Sequence, residues 1–368
     1  MRVALVHYWL TKMRGGERVL EALAEMFPEA DIFTHIYDPE NVSDILKSHK
    51  IETTFISQLP FAKRHYQKYL PFMPRALEQL DLTDYDLIIS SESGPAKGIV
   101  PRPDAFHLCY CHSPMRYIWD HYNSYHQSSG FLARQAFPHI AHKLRMWDVT
   151  SAARVDQFVA NSNFVAKRID KYYRRSAKVV PPPIDIAEFS VARTDQQQDY
   201  FLAAGEFVAY KKFDVAVDAF NELGLPLVII GDGEEKEALM AKAKSNITFA
   251  GRVGFGELKR RFAECQALVF PGEEDFGMIP VEVMAAGRPV IAYGRGGALD
   301  SVVDQKTGIL YDKPDVSALV DAVRQFQNQS FDQNVMADHV MQFDKATFKA
   351  RIRQILIDVG LDIPSPSA

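Results

Sequence analysis

From residue 199 onward the sequence alternates short apolar runs with longer amphipathic stretches: YFLAAGE, DVAVDAFNELG, PLVIIGDG, EEKEALMAKAK, NITFAGR, GELKRRFAEC, QALVFPG and PVIAY. Strand-length runs separated by helix-length segments pair in parallel through crossovers. The pattern therefore confines this half of the chain to a doubly wound parallel sheet with helices on its faces. In such a sheet the loops at the carboxyl ends of the strands line a ligand crevice where the strand order reverses. The same alternation occupies the first half, through RVALVHYW, DIFTHIY, YDLIISSE, AFHLCYCH and QFVANS. Between the first two of these runs, Arg14-Gly15-Gly16-Glu17 leads into the helical pattern RVLEALAEMF.

The chain is thus expected to form two α/β domains. Residues 1–183 make an N-terminal domain that closes at Pro181-Pro182-Pro183. Residues 184–198, containing RTDQQQD, make a linker, and 199–345 a second domain. Residues 346–368 hold a last helix, FKARIRQILIDVGL, that can return to the first domain, and a frayed tail, IPSPSA. The 368 residues are 47% hydrophobic and 24% charged, which is ordinary for a soluble globular protein. No apolar run reaches the roughly 18 to 20 residues that span a bilayer, and the N-terminus lacks a signal-peptide pattern, so a cytosolic location is expected. A net charge of −5 excludes a generally basic nucleic-acid binder. Cys109, Cys111 and Cys265 have no metal-ligand spacing and read as buried apolar residues.

The most informative loop lies in FPGEEDFGMIPVEVMAAGRPV, where Glu274 and Glu282 stand eight positions apart. Pro280 reads as the first residue of a short helix and Gly287 as its stop. The N–H groups of Gly277, Met278 and Ile279 then lie at a helix start, where an anion such as a diphosphate can accept from them. A lone strand-end histidine, His112, follows the run LCYC, and Lys211 lies between a strand and a helix. The Asp84-Tyr85-Asp86 sequence precedes a strand and reads as a turn, so no metal requirement is expected.

With these pieces in place, the chain resembles the retaining glycosyltransferases of family 4. The resemblance rests on the E-x7-E motif Glu274–Glu282 within PGEEDFGMIPVEVMAAGRPVIAYGRGGALD, on Gly15-Gly16-Glu17-Arg18, and on the segments CHSPMRYIWD and VANSNFVAKRI. It is most similar to bacterial mannosyltransferases that build surface polysaccharides. The resemblance implies the GT-B architecture, two Rossmann-like parallel-sheet domains facing an interdomain cleft, and transfer of a hexose, mannose from GDP-mannose, to a polyprenyl-diphosphate-linked glycan. It implies catalytic roles for His112, Glu274 and Lys211. Donor binding falls to Gly15, Gly16, Phe276, Gly277, Met278, Ile279 and Glu282, with Glu282 on the ribose and Glu274 on the hexose. Family members place an Arg near the strand end five residues before the Lys; here Glu206 takes that position, and Lys212 or Arg252 is left to supply the second cation.

The stretch 61–75 interleaves aromatic residues with Lys63, Arg64, Lys68 and Arg75, and Phe131 to Trp147 repeats the tendency with Arg134, Lys143 and Arg145. Such segments suit a peripheral contact with the anionic inner face of a membrane, and amphipathic helices with a solvated face read equally well. Arg116, Tyr117 and Trp119 read as acceptor-stacking or core residues. Two other functions stay open: a transferase of the same fold that uses a UDP-sugar or another GDP-sugar, and a non-catalytic nucleotide-sugar-binding scaffold subunit. No cofactor beyond the nucleotide-sugar substrate is expected.

Overall fold

A computed structural model describes residues 1–128, 130–194 and 196–363. The chain divides into two compact units, Met1–Pro181 with the segment from Lys349 onward, and Pro182–Phe348.

The first unit is built on a seven-stranded parallel sheet. Its strands are β1 Val3–His7, β2 Asp31–Thr34, β3 Ile51–Thr53, β4 Leu87–Glu92, β5 Phe106–Cys111, β6 Gln157–Ala160 and β7 Ala177–Val179, in the order β3-β2-β1-β4-β5-β6-β7. Every residue of β1 and β4 is buried, as expected of central parallel strands covered on both faces. The chain winds outward from β1 to β3, then returns to place β4 on the other side of β1. That reversal pairs β1 with β4 from Val3↔Leu87 to His7↔Ser91, so His7 and Ser91 meet at the carboxyl ends. The helix Gly15–Met26 follows β1 and buries Val19, Leu20, Ala22, Leu23 and Ala24, an apolar face at helical spacing.

The first-half reading named five strands, and the sheet adds β3 and β7. Both are three-residue edge strands, IET and AKV, half-buried or exposed, and neither carries an apolar run for a sequence reading to register. Behind β4, the fully buried Lys97 Nζ donates to Glu92 Oε1 at 2.7 Å and to Asp148 Oδ1. Asp148 Oδ2 also accepts from Trp119 Nε1 at 2.7 Å and Tyr173 Oη at 3.0 Å. Burial pushes the Glu92 carboxyl up, opposed by Lys97. The DxD turn is a turn here, with Asp84 on Arg2 Nη1 at 2.7 Å. All three cysteines are buried.

The second unit repeats the winding with six parallel strands. These are β8 Phe201–Glu206, β9 Leu227–Asp232, β10 Ile247–Gly251, β11 Leu268–Phe270, β12 Val290–Tyr293 and β13 Gly308–Tyr311, in the order β10-β9-β8-β11-β12-β13. Alternate residues of β8 enter opposite cores. Phe201 and Ala203 pack on one face with the helix Phe213–Leu223, and Leu202 and Ala204 on the other with the helix Met278–Ala285. β13 and the helix Val316–Gln327 extend the series beyond the last strand named from the sequence. Within the stretch read as a linker, Ile184, Ile186 and Phe189 are buried in this unit, with Phe189 stacked on Phe262. The last helix, Lys345–Asp358, reaches the first unit, where Lys349 Nζ meets Glu25 Oε2 at 2.5 Å. The tail beyond Ile363 lies outside the described residues.

Candidate functional site

In the second unit the strand order reverses between β8 and β11, and the loops after these two strands carry the candidate residues. β8 ends at Glu206; the chain makes a short turn over Ala209–Lys211, and Lys212, at φ 55°, begins the helix Phe213–Leu223. β11 ends at Phe270 and leads through Pro271-Gly272 into the acidic loop. A Cβ at Gly272 would lie 2.6 Å from Lys211 Cα, so only glycine lets the two loops approach this closely. The approach delivers Lys211 Nζ to 3.0 Å from Glu274 Oε1, with side chains 16% and 21% exposed. A third loop, after β12, ties in through a hydrogen bond from Gly297 N to the Glu274 carbonyl at 2.8 Å.

Burial works against the Lys211 charge. The attraction of Glu274, helped by Tyr210 and Glu206, outweighs it and holds the ammonium above its ordinary pKa. Lys211 is therefore a cation facing two carboxylates, Glu274 in contact and Glu206 nearby.

The helix after the loop runs Met278–Ala285, two residues earlier than the sequence reading placed its start. Pro280 is its third residue, still inside the first turn, where an N–H has no intrahelical acceptor and proline costs no hydrogen bond. The N-cap is Gly277 at φ 78°, a left-handed conformation that glycine adopts without strain, and the helix ends two residues before Gly287. Met278 and Ile279 are half-buried against the core, their N–H groups in the first turn. Glu282 is buried one turn further. Phe276 is a core residue, 5.7 Å edge-on to Phe343.

The remaining candidate cations face other carboxylates. Arg252 follows β10 and lies 3.6 Å from Asp232 Oδ2, at the far side of β9. Burial, with Asp214 and Glu234 beside it, pushes the Glu235 carboxyl up, and Lys212 opposes that shift. Sequence reasoning passed over Arg295, an exposed cation in the β12 loop that holds Glu274; the YGRGG run after β12 was its signal.

The first unit places His112 directly after β5, half-buried. Its N–H donates to the Glu92 carbonyl at 2.7 Å, its carbonyl accepts from Asn161 Nδ2 at 2.9 Å, and its Nε2 lies 2.8 Å from Ser91 Oγ. Gly15 and Gly16 are the first residues of the helix after β1, and a Cβ on Gly16 would meet Tyr8 Oη at 2.4 Å. Glu17 caps this helix, accepting from Arg14 N at 3.1 Å. The segment after His112 is clamped by buried Arg168, which donates to Ser113 Oγ and Asp120 Oδ1, each at 2.6 Å. Trp119 stacks on Tyr172 at 4.6 Å, and this packing occupies one face of the ring.

Among the described residues no cluster of His, Cys, Asp or Glu could hold a metal ion, and no helix is long and apolar enough to cross a membrane.

Residues 13–188 match the model of Glycosyltransferase Family 4, and residues 186–343 that of Glycosyl transferases group 1. The chain is 27% identical over 251 residues to the alpha-1,3/1,6-mannosyltransferase ALG2 of Dictyostelium discoideum, covering 53% of this chain and 58% of that one. It is 29% identical over 196 residues to the O-antigen chain mannosyltransferase C of Escherichia coli, covering 48% and 52%. The chain spans about half the length of the curated relatives it matches. Among solved structures it is similar to sucrose-phosphate synthase from Thermosynechococcus elongatus, with TM-score 0.71 and 17% identity over 98% of this chain and 99% of that one. Anabaena HepE in complex with UDP and glucose gives TM-score 0.70 and 16% identity over 98% and 100%. Two parallel Rossmann-like sheets, together with family models that run from residue 13 to 343, make this chain a member of glycosyltransferase family 4 with the GT-B fold.

Proposed function

We propose that the chain is a retaining glycosyltransferase that moves mannose from GDP-mannose onto a lipid-linked oligosaccharide at the inner surface of a membrane. The observation that carries this reading is the Lys211–Glu274 pair at the β8/β11 reversal, on the loop that leads into the helix Met278–Ala285. A nucleoside diphosphate needs a cation and N–H donors, and these lie on adjoining loops. On this reading Lys211 and the helix N–H groups take up charge developing on the departing diphosphate. Glu274 accepts from hexose hydroxyls, Glu282 from the ribose, and His112 acts beside the hexose. The choice of mannose follows the mannosyltransferases among the relatives.

Retention by double displacement needs a carboxylate nucleophile at the anomeric carbon. Glu274 is already held by Lys211 and is assigned to the hexose hydroxyls. The reading therefore takes a same-face route: the bond from anomeric carbon to diphosphate oxygen breaks, the acceptor oxygen bonds from that face, and the diphosphate takes the acceptor proton.

The membrane part of the proposal draws on the stretch 61–75. Phe61 is 79% exposed and Phe72 54%, with Lys63, Arg64, Lys68 and Arg75 exposed around them. Aromatic rings beside lysines and arginines suit an anionic lipid surface. In the second basic stretch Phe131 is 77% exposed, but Arg145 is committed to the Ile118 carbonyl at 2.5 Å and contributes less.

The test is calorimetric titration with GDP, UDP and ADP, followed by NMR of the product formed from GDP-mannose. GDP binding and a product of unchanged anomeric configuration are expected. Tight UDP binding without GDP binding overturns the donor, and an inverted product overturns the mechanism. Flotation with anionic vesicles that is unchanged after Lys63, Arg64 and Lys68 are replaced by Ala removes the membrane segment.

A further inference from the structure

Behind His112 lies a line of three buried side chains that the proposed reaction leaves without a role. Ser91 Oγ stands between two imidazoles, 2.8 Å from His112 Nε2 and 3.1 Å from His7 Nδ1. The other nitrogen of His7, Nε2, is buried without a hydrogen-bond partner among the described residues and faces Glu17 Oε1 at 3.8 Å. His7 and Ser91 are fully buried and Glu17 nearly so. A buried ring nitrogen left facing a carboxylate is costly and calls for a reason.

We propose that Glu17, His7 and Ser91 are positioning residues that set the tautomer of His112. The inference rests on the reading of His112 as the group beside the donor hexose. A serine hydroxyl has one hydrogen, so Ser91 can donate to only one of the two rings and must accept from the other. Glu17 keeps one oxygen on Arg14 N and turns the other toward His7, and its negative charge favours the His7 proton on Nε2. Neutral His7 then accepts from Ser91 at Nδ1. Ser91 in turn accepts from His112 Nε2–H, and the hydrogen of His112 is fixed on Nε2. A second proton on His7 would reverse every step: His7 donates to Ser91, Ser91 donates to His112 Nε2, and the His112 hydrogen moves to Nδ1. Packing holds the line in place, with Tyr8 at 4.1 Å from the His7 ring and Tyr110 edge-on to His112 at 5.1 Å. The register pair His7↔Ser91 at the β1/β4 reversal is what brings the members together.

The experiment is two-bond proton–nitrogen correlation of the His112 ring in the full chain without substrate, with steady-state kinetics of the same proteins. The expected spectrum has hydrogen on Nε2 in the wild type, a mixture of tautomers in Ser91→Ala, and a shift away from Nε2 in Glu17→Gln, which keeps an acceptor for Arg14 and loses the charge. Ser91→Ala is expected to lower kcat at least tenfold with donor KM within about twofold. A Ser91→Ala spectrum identical to that of the wild type overturns the inference, as does an unchanged kcat in a wild-type-active preparation. If the wild type turns over no nucleotide sugar, the proposed function fails and the ring spectra still decide this inference. If it is active and the tautomer does not move, this inference alone falls.

Discussion

Where the strand order reverses in the first unit, β1 and β4 bring His7 and Ser91 into a buried line that ends at His112; where it reverses in the second, β8 and β11 bring Lys211 and Glu274 into a partly open ion pair. The two sheets are wound alike, outward on one side of the first strand and back on the other. The winding decides where a site can form, and the few residues after each strand decide what it can do. In the first unit an imidazole is oriented by hydroxyl and ring. In the second a cation is held beside carboxylates on the loops that flank the reversal, the arrangement to which the proposed function assigns the diphosphate.

The largest expected effect is on the stability of the first unit alone. Lys97→Met leaves Glu92 and Asp148 buried without their cation, a loss of about 3–5 kcal/mol. The three tryptophans, Trp9, Trp119 and Trp147, all lie in the first unit, so fluorescence during urea unfolding reads that unit directly. An unchanged midpoint would break the claim that this ion cluster anchors the first unit. Next comes the second unit, where Lys211→Ala is expected to lower turnover by about 10²–10³ while the tryptophan transition stays put. Lys211→Arg should fall between, since it keeps charge in a different shape. A loss of turnover that follows the tryptophan transition would mean the two regions are not separable.

Acid sharpens the comparison further. His35 and His107, both buried in the first unit, are pushed down to about 4 by burial, which outweighs the hydrogen bonds to Pro95 and Arg154. Their folded pKa lies below the unfolded value, so unfolding takes up protons as pH falls. The stability they support is full above about 6.5 and is lost between about 6.5 and 4. With two such rings the slope reaches about 2.7 kcal/mol per pH unit, read as a falling urea midpoint from pH 7 to 5. His107→Gln should roughly halve it, and a flat midpoint would contradict the burial argument. The smallest effect is expected at Gly277. An alanine there must hold φ 78° with its Cβ 2.8 Å from Phe270, a cost of about 1–2 kcal/mol, seen as weaker donor binding in titration.

The alternation of apolar and helical runs made both sheets legible, because central parallel strands must be apolar along their length. β3 and β7 stayed hidden because edge strands need no such run. The loop of Glu274 could be read as an anion site from glycine and proline alone, yet its pairing with Lys211 could not, since the contact depends on β8 and β11 being neighbours. His112 was visible as a strand-end histidine. Ser91 was not: it sits inside YDLIISSE, 84 residues from His7, and only the register joins them. Pro280 misled by two residues because proline suits any position of a first turn.

The most direct measurement is the GDP-mannose dissociation constant, by calorimetry, in the wild type and in Lys211→Ala, His112→Ala and Ser91→Ala. If the second unit holds the diphosphate and the first unit orients His112, Lys211→Ala weakens binding at least tenfold. His112→Ala and Ser91→Ala then leave it within about threefold while lowering turnover. Undiminished affinity in Lys211→Ala, or an equal loss in Ser91→Ala, would contradict that division.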